Sequence, residues 1–189
     1  MRKVFLDCGA HKATSIKKFR EEYPNSKDYE IISFECNPKF KSILENTNGI
    51  TFYNKAVWVK DGIEKFYIGH GASSSLIHGK TRGNLDFDNP IEVDCIDLSK
   101  WITENFDKDD YIILKLDVEG AEYSILQNLL DTNYISYINE IYLEWHIGPK
   151  TDYENTYSFI SNFTTVCSEL NIKIDANWDA QQKQYSPSL

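Results

Sequence analysis

The sequence predicts an α/β protein built on a mostly parallel, twisted sheet with helices on both faces. Three short, nearly continuous apolar runs, residues 4–7, 31–35 and 112–117, are typical of strands buried on both sides. Apolar residues at helical spacing follow each run. Each run ends in an acidic residue: Asp7, Glu35 and Asp117. Because ligands of doubly wound α/β folds bind outside the carboxyl ends of the strands, these carboxylates predict a ligand site.

The first strand is followed by a tight turn and a helix. Gly9 lies in the turn, and Thr14 or Ser15 can cap a helix that stops before Pro24. Glycine has no Cβ, so a turn of this kind lets the backbone approach a nucleotide-like ligand closely.

The second strand, residues 30–35, is followed by another helix start. Asn37 is a typical cap and Pro38 a typical first helical residue. We expect the buried stripe of this helix to consist of three apolar residues: Phe40, Ile43 and Leu44.

The middle of the chain predicts a hairpin and a long loop. Residues 50–58 form an apolar strand pattern, and Asp61-Gly62 is a hairpin signal that would pair residues 63–68 back on that strand. Residues 69–90 are rich in Gly, Ser, Asn and His and show no periodicity. A loop of this length is either a solvated surface segment or a lid over a site.

The remaining elements alternate between strand and helix, and the tail from Gln181 is expected to fray. The predicted strands are residues 91–96, 111–117, 138–145 and 172–174, and the predicted helices are residues 98–106, 120–130 and 153–170. No repeat or linker interrupts this order, so we expect one domain over residues 1–189, without an N-terminal extension that covers the substrate.

Composition limits the class of protein. The chain of 189 residues is 41% hydrophobic, and its 29 acidic and 20 basic residues give a net charge of −9. This charge argues against general electrostatic binding to nucleic acid or to an anionic membrane. No signal peptide or membrane span is recognisable. The four cysteines lack metal-ligand spacing, which favours thiols in a reducing compartment. We therefore expect a cytoplasmic protein, of a cell or of an infected host, without membrane insertion.

The pattern of glycines and acids indicates which nucleotide-like ligand binds. Dehydrogenases with a nicotinamide cofactor have the motif Gly-x-Gly-x-x-Gly after the first strand. Here His11 and Ala13 follow Gly9, and the second and third glycines of that motif are absent. Gly79-Lys80-Thr81 lacks the earlier glycine of a phosphate loop. An acid before the turn and a second acid, Glu35, after the next strand are typical of S-adenosylmethionine enzymes. Carboxylates suit the sulfonium and ammonium groups of that molecule and would repel a pyrophosphate.

These residues resemble the FkbM-type methyltransferases, which are Rossmann-like class I enzymes dependent on S-adenosylmethionine. The most specific match is Lys-Leu-Asp-Val-Glu-Gly-Ala-Glu at residues 115–122. Further matches, in the family's order, are residues 5–11, 34–38, 54–57, 73–76 and 93–98. Ala13 stands where the family often has a second glycine.

The resemblance implies a set of cofactor-binding residues. Asp7, Gly9 and Ala10 would face the methionine end, with Thr14 and Ser15 at the helix start. Glu35 would hold the ribose. The adenine would lie between Cys36 and Ala56, for which ordinary packing at a strand end is the alternative. Within the loop, Ser74 and Ser75 would lie nearest the cofactor.

The resemblance also implies O-methylation, which requires a base or a metal for the hydroxyl proton. His146 is the expected general base, because an imidazole titrates near neutral pH, with Glu144 or Asp117 orienting it. A strand-end histidine bonded to a backbone carbonyl is the alternative. Glu119 and Glu122 would complement a helix start. A divalent ion on Asp117, Glu144 and His146 is possible but not expected.

The expected function is methylation of a sugar hydroxyl of a glycan or glycoconjugate. A lipid or small-molecule hydroxyl, a nicotinamide-dependent oxidoreductase and a catalytically silent cofactor-binding module are the alternatives. The acceptor and the oligomeric state do not follow from the sequence. The Asn-, Ile- and Lys-rich composition suits an AT-rich genome, such as that of a virus.

Overall fold

The fold has two sheets and helices on both faces of the larger one. A computed structural model describes residues 1–147 and 155–176. Within those residues the strands are β1 (Lys3–Cys8), β2 (Glu30–Phe34), β3 (Thr51–Tyr53), β4 (Ala56–Trp58), β5 (Gly62–Phe66), β6 (Ile91–Asp97), β7 (Tyr111–Leu116), β8 (Glu140–Leu143) and β9 (Lys173–Asp175). The helices are α1 (Thr14–Glu22), α2 (Pro38–Glu45), α3 (Leu98–Asn105), α4 (Glu122–Asp131) and α5 (Thr156–Glu169), with short 3-10 turns at Ser26–Asp28 and Tyr134–Tyr137.

The larger sheet confirms the predicted fold class. Its strand order is β3-β2-β1-β7-β8-β9, and each pair of neighbouring strands among the described residues is parallel. Phe5 and Ile113 face α1 and α2, and pack with Phe19 and Phe40. Alternate strand residues face α3, α4 and α5 in a second apolar cluster. The sheet is therefore buried on both sides, as its continuous apolar strands predict.

The predicted strand 50–58 is two strands in two different sheets. β3 extends the edge of the large sheet, whereas β4 belongs to a small sheet of order β4-β6-β5. The predicted hairpin is also wrong, because β6 lies between β4 and β5, parallel to the former and antiparallel to the latter. The turn at Asp61-Gly62 reverses the chain, but the two strands that it joins do not pair with each other.

Helix boundaries and faces differ from prediction in two places. Ala13, in a left-handed conformation, is the N-cap of α1, and neither Thr14 nor Ser15 caps it with a side chain. Asn37 caps α2 as predicted, accepting the N–H of Lys39. Ile43 is 43% exposed and so lies outside the buried stripe.

The last elements are shorter than their patterns predict. β8 ends at Leu143, so Glu144 and His146 lie beyond the strand. α5 begins at Thr156. The predicted start of this helix at Tyr153 and the predicted fraying from Gln181 lie outside the described residues.

None of the helices that the structure describes has the length and apolar character to span a membrane. The four cysteines are free thiols, and all but Cys36 are buried.

Candidate active site

The site lies where the winding of the large sheet reverses. β1 pairs with β2 on one side and with β7 on the other, so the connections leave the sheet in opposite directions from this point. In open α/β sheets the crevice at the carboxyl ends of such strands is the usual ligand site. Two adjoining cavities open there.

The first cavity is a cleft of about 620 Å³, a volume that includes space open to solvent. Glu35, Cys36 and Ala56, which the sequence predicts as ligand residues, all line it. Its other walls are largely apolar: Phe34, Phe40, Val57, Phe66 and Leu76. A carboxylate such as Glu35 beside apolar walls fits a ligand that has a flat apolar part and a few polar groups.

Glu35 is oriented by main-chain groups. Its Oε2 accepts the N–H of His11 at 2.9 Å, and its Oε1 accepts the N–H of Asn37 at 2.7 Å. Burial raises the pKa of Glu35, although these two N–H groups act in the opposite direction. A carboxylate oxygen has two lone pairs, so each oxygen keeps one for a ligand hydroxyl.

The second cavity is larger, at about 1550 Å³, and its walls are polar. Gly9, His11, Ala72, Asp117 and Glu119 line both cavities and form the junction between them. Beyond the junction the second cavity is lined by Ala10, Thr14, Ser15, Lys17, Lys18, Glu21, Glu22, Ser73, Lys115 and Glu144.

The turn at Gly9 brings the ends of β1 and β7 into contact. Gly9 has φ +84, and a Cβ at this position would lie 1.9 Å from the carbonyl oxygen of Asp117. Glycine is therefore required both for the backbone conformation and for the close approach. Ala13 has φ 61, so an alanine in this turn adopts the left-handed conformation.

Asp7 is buried beneath this turn, whereas the resemblance implied that it faces the methionine end of the cofactor. Its carboxylate is inaccessible to solvent and does not line either cavity. Its Oδ2 accepts the hydroxyl of Ser15 at 2.7 Å, and its Oδ1 lies 3.4 Å from the Nζ of Lys115. Asp7 therefore supports two residues of the second cavity from below.

Lys115 lies between the buried carboxylate of Asp7 and the partly exposed carboxylate of Asp117. Its Nζ donates to the carbonyl oxygen of Gly9 at 2.7 Å and lies 3.3 Å from the Oδ2 of Asp117. Burial alone would lower the pKa of Lys115, but Asp117 and Asp7 outweigh it and raise that pKa above its usual value. A permanent positive charge therefore sits at the floor of the second cavity.

The two serines predicted near the cofactor have different positions. Ser74 lines the first cavity, and its Oγ accepts the N–H of Gly69 at 3.0 Å. Ser75 does not line either cavity, because its Oγ donates to the carbonyl oxygen of Glu119 at 2.8 Å. Ser73, which was not predicted, lines the second cavity instead.

His146 is enclosed by two other carboxylates than expected. Its Nδ1 lies 3.0 Å from Glu122 Oε1 and its Nε2 lies 3.4 Å from Glu119 Oε2. Burial alone would lower the pKa of His146, but Glu122 and Glu119 raise it to about 11. An imidazolium at neutral pH has no free lone pair to take a proton, and His146 does not line either cavity. The arrangement does not fit His146 as general base, nor Glu144 or Asp117 as its orienting groups.

The group of candidate metal ligands also differs from the expected one. Among the described residues, ligand atoms of Asp117, Glu122 and His146 lie within 4.8 Å of one another, and Glu144 is not in this group. The oxygens of Glu122 already accept the N–H groups of Val118 at 2.8 Å and Gly120 at 3.0 Å. Because a cation would have to displace the imidazolium proton, the arrangement favours a network of ion pairs.

Three residues at or beside the site were missed as ligand or catalytic candidates: His11, Lys80 and Lys115. His11 and Lys115 stand inside the matched motifs, so the signal was present but the roles were not assigned. His11 has a buried Nε2 without a hydrogen-bond partner in the described structure, and its ring contacts that of Phe40 at 4.1 Å between centroids. Burial, followed by Lys12, lowers the pKa of His11, so this imidazole is neutral at pH 7.

Comparison with known proteins identifies the family of the chain. The family model described as methyltransferase FkbM domain matches residues 7–167, which include both cavities. Searches of curated proteins and of solved structures find no match.

Proposed function

The chain belongs to the FkbM-domain methyltransferases, and on that premise we propose that it is an S-adenosylmethionine-dependent O-methyltransferase acting on a sugar hydroxyl of a glycan or glycoconjugate. The observation that carries the proposal is the pair of adjoining cavities with different linings, joined at Asp117 and Glu119. The largely apolar walls beside Glu35 suit a nucleoside, and the polar second cavity suits a hydrophilic acceptor.

The residues present fit S-adenosylmethionine. Glu35 offers two acceptor oxygens beside an apolar slot, which matches a ribose diol attached to an adenine. Cys36 and Ala56 would lie against the base. Asp117 and Glu119 place carboxylates at the junction, which suits the cationic end of that molecule. When bound, it supplies a methyl group that an oxygen nucleophile can attack.

Asp117 is the residue that we assign to the acceptor proton. Its side chain is 23% exposed at the junction, and one of its oxygens is held by Lys115 at 3.3 Å. The other oxygen can accept a proton from a hydroxyl in the second cavity. General-base catalysis typically contributes about 10²–10⁴-fold to a rate, so Asp117→Asn should lower kcat by that order.

The lining of the second cavity supports a carbohydrate acceptor. Hydroxyl, ammonium and carboxylate groups surround it, and among the described residues that line it only Ala10 and Ala72 have apolar side chains. A lipid chain would bury apolar surface against these polar groups without gaining hydrogen bonds. Sugar hydroxyls can exchange hydrogen bonds with them, so this lining favours a carbohydrate.

A labelled transfer reaction tests the proposal. The purified protein is incubated with S-adenosylmethionine carrying a deuterated methyl group and with a panel of oligosaccharides, lipids and small alcohols. We expect mass spectrometry to show the label on a sugar oxygen and Asp117→Asn to abolish most of it. Label on a lipid alone would refute the acceptor class. Calorimetric heat with S-adenosylhomocysteine but no transfer to any acceptor would indicate a silent binding module, and heat with NAD alone would indicate an oxidoreductase.

A further inference from the structure

The loop of residues 69–90 forms part of the walls of both cavities, although it contains no helix or extended strand. Ala72 and Ser73 line the second cavity, and Ser74 and Leu76 line the first. The position of this loop therefore decides the shape of the space that a ligand enters.

Lys80, in the same loop, is buried although it lines neither cavity. It is 3% exposed, which is rare for lysine. Its ammonium group donates to the carbonyl oxygen of Ser73 at 3.2 Å and to the carboxylate of Glu119. A buried charge is stable only when it is paired and hydrogen-bonded, so these two partners determine where Lys80 and its loop can lie.

Glu119 receives contacts from two residues of the loop. Its carboxylate pairs with Lys80 and its carbonyl oxygen accepts the hydroxyl of Ser75 at 2.8 Å. The same carboxylate lies 3.4 Å from His146 Nε2 and forms part of the junction of the cavities. Glu119 also has φ 57, a conformation that is costly for a residue with a side chain and that needs support from its surroundings.

We infer that Lys80 is a positioning residue of the site: by pairing with Glu119 it holds the wall formed by Ser73 and Ser74 in place and keeps the Glu119 carboxylate at the junction of the cavities. The identity of the ligand in this inference rests on the proposed function. The attachment of the loop rests on the contacts of Lys80 and Ser75 alone.

Substitution of Lys80 tests both parts. Lys80→Met removes the ammonium and retains much of the side-chain volume. Arg82→Met removes a positive charge from an exposed position of the same loop and is the matched control. Amide hydrogen exchange, followed by mass spectrometry on the free protein, reports the attachment of the loop without any ligand. Calorimetry with S-adenosylhomocysteine reports the effect on the site.

We expect Lys80→Met to raise exchange in residues 69–90 at least tenfold while β1 and β7 stay protected. We also expect it to weaken binding of S-adenosylhomocysteine by about ten- to hundredfold, the size of effect usual for losing a charged hydrogen bond. Arg82→Met should match the unaltered protein in both measurements. A Lys80→Met protein with unchanged loop exchange and unchanged affinity would overturn the inference.

Glu119→Gln keeps the test decisive should Lys80→Met fail to fold. It removes the charge that Lys80 pairs with and keeps the shape of the side chain, so the loop should again lose protection. In a double variant, Lys80→Met should add less than twofold to the loop exchange of Glu119→Gln. If the increases in loop exchange caused by the two substitutions multiplied in the double variant, Lys80 would not act through Glu119. Should the unaltered protein not bind S-adenosylhomocysteine, the proposed function fails, while the exchange data still decide the attachment of the loop.

Discussion

At the carboxyl edge of the large sheet, the carboxylates of Glu35 and Asp117 are oriented by hydrogen bonds or ion pairs with other residues of the chain. Main-chain N–H groups orient Glu35, and Lys115 holds one oxygen of Asp117. Groups that are already oriented lose little entropy when a ligand arrives, which is the usual advantage of a preorganised site.

Substitution of Glu35 should weaken cofactor binding specifically. Glu35→Gln removes a charged acceptor beside the apolar slot, and charged hydrogen bonds are worth about 1.5–3 kcal/mol. We expect the Kd for S-adenosylhomocysteine, measured by calorimetry, to rise by about 10–100-fold. Glu45→Gln, on the exposed side of α2, is the control and should change the Kd by less than twofold. An unchanged Kd in Glu35→Gln would remove Glu35 from the binding site.

The two histidines near the site should differ in charge at neutral pH. His146, whose pKa is raised to about 11 by Glu122 and Glu119 against burial, should be an imidazolium between pH 6 and 9. His11, whose pKa is lowered by burial and Lys12, should be neutral above pH 7. Nitrogen chemical shifts of the two rings, assigned through His11→Asn and His146→Asn, measure both in one sample. A neutral His146 at pH 7 would reopen its assignment as general base.

The charge on His146 also determines how it affects stability. Because its pKa is higher in the folded protein than the ordinary 6.5, its contribution is complete below about pH 6.5 and is lost as pH rises towards 11. The stabilising effect of this residue is therefore greatest at and below neutral pH.

At the scale of elements, the site depends on two turns that touch. The β1–α1 turn at Gly9 lies against the β7–α4 turn at Asp117, and Glu119 and Gly120 in the second turn both have positive φ. Glu122 stabilises that turn by accepting the N–H groups of Val118 and Gly120. Helix α4 consequently begins at Glu122 rather than at residue 120.

A pair of glycine substitutions separates close approach from backbone conformation. Gly9→Ala places a Cβ 1.9 Å from the Asp117 carbonyl oxygen, whereas Gly71→Ala, at φ +66, meets nothing within 4 Å. We expect Gly71→Ala to lower the free energy of unfolding by about 1–2 kcal/mol, the cost of the left-handed conformation. Gly9→Ala should cost at least about 3 kcal/mol, because the two strand ends must move apart.

Denaturant unfolding of the two variants measures this difference. Equal losses of stability would show that the backbone conformation alone accounts for Gly9 and that the turns tolerate separation.

At the scale of the whole molecule, a second polar network joins distant parts of the chain at the amino ends of the strands. Glu140 in β8 accepts hydrogen bonds from Tyr23 at 2.6 Å, Tyr111 at 2.7 Å, Tyr142 at 2.9 Å and Lys173 at 2.8 Å. Tyr23 follows α1, Tyr111 begins β7 and Lys173 begins β9. One carboxylate therefore ties a helix to three neighbouring strands.

This network should make stability depend on acid pH. Burial alone would raise the pKa of Glu140, but Lys173 and the phenols lower it from 4.5 to about 2. A lowered folded pKa stabilises the protein above about pH 4.5, by up to about 3 kcal/mol, and that contribution is lost as pH falls towards 2. Glu140→Gln should lower the free energy of unfolding at pH 7 by that order, and by much less at pH 2.5.

Thermal and denaturant unfolding at the two pH values provide the measurement. Glu30→Gln, an exposed carboxylate paired with Arg2 at the same end of the sheet, is the control and should cost less than about 1 kcal/mol at either pH. A pH-independent loss in Glu140→Gln would show that packing, not charge, explains its role.

Local sequence patterns predicted most of the large sheet. Continuous apolar runs identified β1, β2, β7 and β8, because each of these strands is buried on both faces whatever its neighbours are. The Asn37-Pro38 start of α2 was predictable for the same reason, since an N-cap is a contact between residues that are close in sequence. The position of Glu35 at a ligand cavity also followed, because an acid that ends a buried strand has little other reason to be there.

Strand partners and side-chain partners depended on contacts between residues far apart in the chain. β6 inserts between β4 and β5, a choice that no hairpin signal at Asp61-Gly62 contains. Burial of Asp7 against Lys115, and of His146 between Glu119 and Glu122, converts an expected ligand group into a support and an expected base into a cation. By itself the sequence determined the layers, the family and the edge of the sheet where the two cavities lie. Tertiary structure alone decided which charges meet there, because protonation and orientation depend on neighbours that only folding brings within a few ångströms.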